Sequence, residues 1–206
     1  LRSISLDFEI RVAAAILNTG NFGSATNSAV AYTEANKATV NFQKDIIDAI
    51  ELGTTYGENY NTIVMSSTIM NRLAGTTLLQ NLARGKRATD AALVVNSQTV
   101  VDIFRDNGIT NCFVGASAYN SAKKALTASI TKVWGTTYMW VGNVQSGPID
   151  NGGSGRSLVW NTGDSLFVTS TYRDELIKSN IVRVEQNIIE KIMNGNAGTL
   201  VATQWG

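Results

Sequence analysis

The chain has 206 residues, 44% of them hydrophobic, which suffices for the core of one large domain or two small ones. Seventeen Lys and Arg against sixteen Asp and Glu leave a net charge of +1, which excludes a general pull toward nucleic acid, membrane surfaces or acidic substrates. Histidine is absent, which removes Ser-His-Asp and Cys-His catalysis and histidine metal sites, and the single cysteine leaves no intrachain disulfide and no structural zinc site.

Leu6, Ile10, Ala13 and Leu17 repeat at helical spacing from the start and predict an opening helix that stops at Asn18-Thr19-Gly20. Because residue 1 is Leu and the helix is already under way there, the chain is expected to be a fragment of a longer protein. From Gly20 to about Thr39 the residues are small and polar, a long loop that is either mobile or held by a partner.

A second helix is predicted over Asn41–Leu52, with Phe42, Ile46, Ile47 and Ile50 on one side and Gly53 beyond its end. Thr62–Met65 reads as a short strand leading into a helix capped by Ser66 or Ser67 and running through Ile69, Met70 and Leu73 to Gly75. The order then reverses. Ser97 is expected to cap a helix carrying Val100, Val101 and Phe104, Asn107-Gly108 ends it, and Asn111–Gly115 is a strand. Cys112 within it reads as a buried thiol acting as a small hydrophobe. Helices alternating with short strands imply a mixed sheet with helical cover.

Beyond Ala125, Leu126–Trp134, Tyr138–Val144, Ser157–Trp160 and Ser165–Thr171 are strand-like, and Asp150–Gly155 is a flexible turn between them. Ile181–Met193 fits a helix face and a strand face equally well on periodicity. No apolar stretch approaches the roughly 18 residues of a membrane span and no charged-then-apolar leader opens the chain, so the protein is expected to be made and used in solution.

Three patterns invite an enzymatic reading and each has a plainer one. Gly115-Ala116-Ser117-Ala118-Tyr119 resembles a nucleophile elbow, without its second glycine and with no histidine to take the proton. Tyr119 and Lys123 have the Tyr-x-x-x-Lys spacing of short-chain dehydrogenases, and Thr19-Gly20-Asn21-Phe22-Gly23 lies upstream, but there the glycines end a helix instead of opening one. The carboxylate pairs Asp45/Asp48 and Asp174/Glu175 read as solvated faces or subunit salt bridges, and Arg84, Lys86 and Arg87 as a charged loop.

Read in order, the remaining features resemble the major capsid proteins of tailed phages, whose Hong-Kong-97-type fold is shared with encapsulin shells. The features are Asn61-Thr62-Ile63-Val64-Met65-Ser66 before a helix, Thr99–Lys124 with Phe104, Phe113-Val114-Gly115 and Tyr119-Asn120-Ser121-Ala122-Lys123-Lys124, and Val133-Trp134-Gly135. They continue with Tyr172-Arg173-Asp174-Glu175, Lys178-Ser179, Ile181-Val182-Arg183-Val184, Glu190-Lys191 and Asn196-Ala197-Gly198. Two departures stand: Thr76-Thr77-Leu78-Leu79 lacks the family's proline, and the Gln80–Asp90 loop has no counterpart.

The resemblance implies an α+β subunit. Its axial domain, with a mixed sheet flanked by helices, would comprise residues 35–158 and 196–206. Its peripheral domain, with the end of a spine helix and long antiparallel strands, would comprise residues 1–34 and 159–195. The N-terminal arm and extended loop would lie outside this fragment. It also favours strands over a helix for Ile181–Met193. The implied function is a structural subunit of an icosahedral shell, self-assembling into pentamers and hexamers around DNA without sequence-specific contacts. Scaffolding and portal proteins are the further partners. The implied location is the virion, assembled in the bacterial host cytoplasm, with no catalytic residue, cofactor, metal or membrane. The alternatives are an encapsulin-like cargo shell and a dehydrogenase-like oxidoreductase.

Overall fold

The computed structural model of the chain describes residues 2–22, 25–27, 30–85, 95–123, 126–148, 150, 152–160 and 168–203. Within them lie helices α1 (Arg2–Ile16), α2 (Phe42–Thr55), α3 (Ser67–Ala74), α4 (Thr77–Gly85) and α5 (Ser97–Phe104). The body is a five-stranded mixed sheet of β1 (Ala25–Asn27), β2 (Thr62–Ser66), β3 (Asn111–Gly115), β6 (Tyr138–Gly142) and β11 (Gly198–Ala202), in the order β1-β11-β6-β2-β3. The two outer pairs, β1 with β11 and β2 with β3, are parallel, and β6 runs antiparallel to both of its neighbours.

The period of two along these strands sends alternate residues to two separate cores. Ile63 and Met65 of β2, Met139 and Val141 of β6 and Val201 of β11 join Phe42, Ile46 and Ala49 of α2, Ile69 and Leu73 of α3, Leu79 of α4, and Val100, Ile103 and Phe104 of α5. Val64, Trp140 and Leu200 face the other way and meet Ala13 of α1, Phe22 and Trp134. The second cover is smaller and does not shield Phe113, which is 58% exposed on the edge strand β3. Cys112 points to the helix-covered side and is half-buried, less sealed than expected, because its strand has a neighbour on one side only.

Local chemistry sets the helix ends, with some differences from the sequence reading. Asn41 caps α2, its side chain accepting from Lys44 N at 3.0 Å, and Ser66 caps α3 through Ile69 N at 3.3 Å. α5 is capped by Asn96 instead of Ser97. Asn96 Oδ1 accepts from Thr99 N at 3.0 Å while Thr99 Oγ1 accepts from Asn96 N at 3.3 Å, a reciprocal box that leaves Ser97 as the first helical residue. Gly53 does not end α2, which runs on to Thr55. It is glycine because the Tyr60 ring occupies the space a Cβ would take, at 2.7 Å. α4 falls where no element was predicted and turns Leu79 and Ala83 inward.

The expected loop of residues 20–39 contains β1 and is held by its own chain. Tyr32 is buried, its N–H donates to Thr203 O at 3.0 Å and its hydroxyl donates to Asp45 Oδ2 at 2.6 Å. The Asp150–Gly155 turn is likewise pinned. Ser154 is buried with its Oγ 2.6 Å from Asn143 O and 2.8 Å from Ala197 O, and Arg156 reaches the carbonyls of Gln145, Pro148 and Gly152.

Three two-stranded ribbons complete the described structure: β4 (Ala118–Asn120) with β5 (Ile130–Lys132), β7 (Gly155–Val159) with β10 (Ile188–Ile192), and β8 (Val168–Asp174) with β9 (Ser179–Glu185). Of the strand expected over Leu126–Trp134 only β5 forms. Ile181–Met193 is extended, as two strands with different partners, β9 on β8 and β10 on β7. β7 spans the expected domain boundary between residues 158 and 159.

Candidate functional site

The structure does not assemble the enzymatic patterns. Tyr119 is on strand β4 opposite Thr131, and Lys123 lies in the turn beyond, so the helical spacing that would bring the two side chains to one face is absent. Gly20 follows α1, its N–H donating to Asn18 Oδ1 at 2.8 Å, and Gly23 lies outside the described residues. Ser117 joins two strands, its carbonyl accepting from Val133 N at 2.9 Å, so no strand-to-helix elbow presents its hydroxyl.

The carboxylate pairs have structural partners. Asp45 is buried, not solvated as expected, because its position in the first turn of α2 faces the core, where the Tyr32 hydroxyl meets it. Asp48 pairs with Lys44, Asp174 Oδ1 accepts from Leu176 N at 2.9 Å, and Glu175 lies 2.7 Å from Arg173. Arg84 is exposed at the end of α4, and Lys86 and Arg87 lie outside the described residues. Among the described residues no three of Asp, Glu and Cys converge as metal ligands, and no helix is long and apolar enough to cross a membrane.

Two polar assemblies that sequence reasoning missed brace the body. Glu58 accepts from Asn143 Nδ2 at 3.0 Å and Asn194 Nδ2 at 2.7 Å, while Asn61 exchanges hydrogen bonds with the backbone of Val144, both at 2.9 Å. Tyr60 donates to Asn196 O at 2.9 Å, and burial pushes its hydroxyl up to about 12, helped by the nearby Glu58 charge. On the opposite face α1 is latched twice. Trp134 Nε1 donates to Glu9 at 2.6 Å, and Arg11 Nε donates to Glu190 at 3.0 Å, which raises the Arg11 pKa further.

What the body leaves open is apolar surface on the ribbons. In β8–β9 one face pairs Tyr172 with Ile181 and Val168 with Glu185, and the other pairs Thr171 with Val182 and Thr169 with Val184. Neither face is covered: Val168, Tyr172 and Val182 are all exposed, and the turn between the strands carries Leu176 at 96% exposure and Ile177 at 63%. Lys178 closes that turn with φ 48°, a left-handed conformation in which a non-glycine residue is uncommon. On β7–β10 the cross-strand pair Leu158 and Ile189 is exposed, and Trp160 just beyond is 80% exposed. Apolar groups gathered this way, with an aromatic among them, make a contiguous exposed patch, a candidate contact surface.

No protein-family model matches the chain, and no curated protein matches it at a significant level. Among solved structures it is similar to a phage-related protein from Bordetella bronchiseptica, with a TM-score of 0.77 and 18% sequence identity. The likeness covers 98% of this chain and 64% of that one, so this chain spans less than two thirds of that protein's length. At this identity the likeness is one of fold: the mixed α+β arrangement of five helices and a mixed sheet is shared with a phage-related protein.

Proposed function

We propose that the chain is a structural subunit of an icosahedral phage shell with the Hong-Kong-97-type fold, and not an enzyme. The observation that carries this reading is the β8–β9 ribbon, seven residues on each strand with both faces and an aliphatic tip open to solvent. A two-stranded ribbon alone is marginal in water, so this one is built for partners. The low charged fraction supports the same reading, since a subunit that meets many identical copies is repelled by any strong single-sign patch.

In this reading residues 35–158 and 196–206 form the axial domain that meets its copies in pentamers and hexamers. Residues 1–34 and 159–195 form the peripheral domain between capsomers, and α1 is the end of the spine helix. Scaffolding and portal proteins complete the assembly in the host cytoplasm, and the virion holds DNA without sequence-specific contacts.

The test is size-exclusion chromatography and negative-stain electron microscopy of the intact reading frame, alone and with its scaffold. Uniform closed particles or capsomer rings are expected. Co-purifying cargo protein in place of nucleic acid would reassign the chain to a cargo shell. A monodisperse small species under both conditions, with nicotinamide bound, would refute the shell reading in favour of an oxidoreductase.

A further inference from the structure

Strand β8 has one strand partner among the described residues, β9, and no backbone hydrogen bond reaches it from any other described segment. Six of its seven residues are exposed, so the backbone N–H and C=O groups on its outer side form an open row. The β9 side of the ribbon is less free. Val184 and Glu185 are half-buried there, and Val184 and Gln186 share a hollow with Ser3, Asp7 and Arg11 of α1. Open edges are ordinarily blunted by a proline or by a charge within the strand, and Val168–Tyr172 contains neither.

We infer that β8 pairs antiparallel with β8 of a second copy of this chain, across a two-fold axis at Ser170, and so joins two ribbons into one four-stranded sheet. This rests on the shell reading and names the partner of its ribbon. The strand is self-complementary: Val168-Thr169-Ser170-Thr171-Tyr172 is Thr-Ser-Thr between a β-branched and an aromatic residue. With Ser170 opposite its own copy, Thr169 faces the second copy's Thr171 and Val168 faces the second copy's Tyr172, and each pair occurs twice. Thr–Thr and aromatic–β-branched neighbours are the cross-strand pairs that stabilise sheets. Val168 and Tyr172 lie on the same face as Ile181, so the apolar groups of both copies gather on one side of the joined sheet.

The alternatives fit less well. A parallel pairing in register would set Arg173 against Arg173 and Asp174 against Asp174, like charges directly opposite. β9 is not self-complementary, since about its middle residue, Val182, it would set Ile181 against Arg183. Two strands alone are marginal in water, and four with a shared apolar face meet the condition for a stable sheet. A two-fold contact uses the same patch on both copies and closes on itself, so at the peripheral place of residues 159–195 it would join one ring of subunits to the next.

The test uses the intact protein, with Ser170→Cys and Arg173→Cys made separately on a Cys112→Ala background. Both positions are exposed, so chance collision would cross-link them alike. In the proposed pairing the two Ser170 positions face each other within the roughly 4.4–6.8 Å between Cα atoms that a disulfide spans, whereas the two Arg173 positions lie about 20 Å apart. Mild oxidation should therefore give covalent dimers with Ser170→Cys and none with Arg173→Cys. Ser170→Asp and Ser170→Lys each set like charges across the axis, and each should weaken association by about fivefold in sedimentation velocity, while an equal mixture of the two should recover it. All four variants should keep the wild-type circular dichroism spectrum, because the strand is exposed. If Arg173→Cys cross-links as readily as Ser170→Cys, or the mixture associates no better than either variant alone, the inference is overturned while the shell reading stands. Covalent Ser170→Cys dimers from a protein that never forms rings or particles would keep the pairing and sink the shell. A wild type that stays monomeric overturns both.

Discussion

Trp140 is the largest fully buried side chain of the second core, and two glycines make room for it. A Cβ on Gly198 would lie 2.5 Å from Trp140 Nε1 and 2.8 Å from two carbons of the same ring, and the three nearest atoms all belong to Trp140. The backbone of Gly198 is extended, φ −159° and ψ 158°, so alanine is not strained there in itself. Gly198→Ala should therefore cost about 3 kcal/mol, the upper part of the range for overpacking, because Trp140 is 1% exposed and has nowhere to move. In a Trp140→Leu background, itself weakened by about 3 kcal/mol through the cavity left behind, the same substitution should cost less than about 1 kcal/mol. Gly142→Ala is the internal control. Its Cβ would meet Trp140 at 2.3 Å but also the carbonyl oxygen of Ala197 at 2.7 Å, which stays when the indole is gone, so much of its cost should persist. Urea titrations of the six proteins give the coupling directly. If Gly198→Ala and Trp140→Leu add to within about 0.5 kcal/mol, the glycine is not there for the indole and the reasoning fails.

Glu58→Ala should destabilise the body by about 1–3 kcal/mol, because it strands the amide donors of Asn143 and Asn194, with Glu58→Gln milder; equal urea midpoints for wild type and Glu58→Ala would contradict the role given to the carboxylate. Burial pushes the Cys112 thiol up to about 12, as it does the Tyr60 hydroxyl. Both groups are neutral when protonated and their folded pKa values are raised, so unfolded chains release these protons first. Stability should therefore be full below about pH 8 and decline as pH rises from about 9 toward 12. Cys112→Ala should flatten the early part of that decline, and an unchanged slope between pH 8 and 10 would count against the assignment.

Elements built on local pattern could be read from the chain: the short apolar, β-branched and aromatic runs in Thr62–Met65 and Tyr138–Val144, the stop at Asn107-Gly108 and a serine cap at Ser66 or Ser67. Elements decided by distant partners could not. Gly53 looks like a helix end until Tyr60 is seen resting on it, and α4 follows directly on Gly75-Thr76. Asp45 looked solvated because its partner, Tyr32, stands thirteen residues earlier in a stretch with no periodicity. Ile181–Met193 was ambiguous because a change of partner strand between β9 and β10 breaks its alternation at Gln186–Asn187. The candidate contact surface was not in view: Leu176-Ile177 is a short aliphatic pair inside a charged turn, and only the fold shows that nothing covers it.

The position of β11 between β1 and β6 sets an order of events during synthesis. It follows every other described strand in sequence, yet its five residues are all buried, and without them β1 has no strand to pair with and one edge of β6 is left unpaired. The β8–β9 hairpin, by contrast, is local and can close as soon as Glu185 has emerged. A growing chain thus displays its exposed apolar ribbon while its body is still open. On a polysome, neighbouring nascent chains meet in that state, and slow completion of the sheet relative to elongation would favour tangled products over ordered ones.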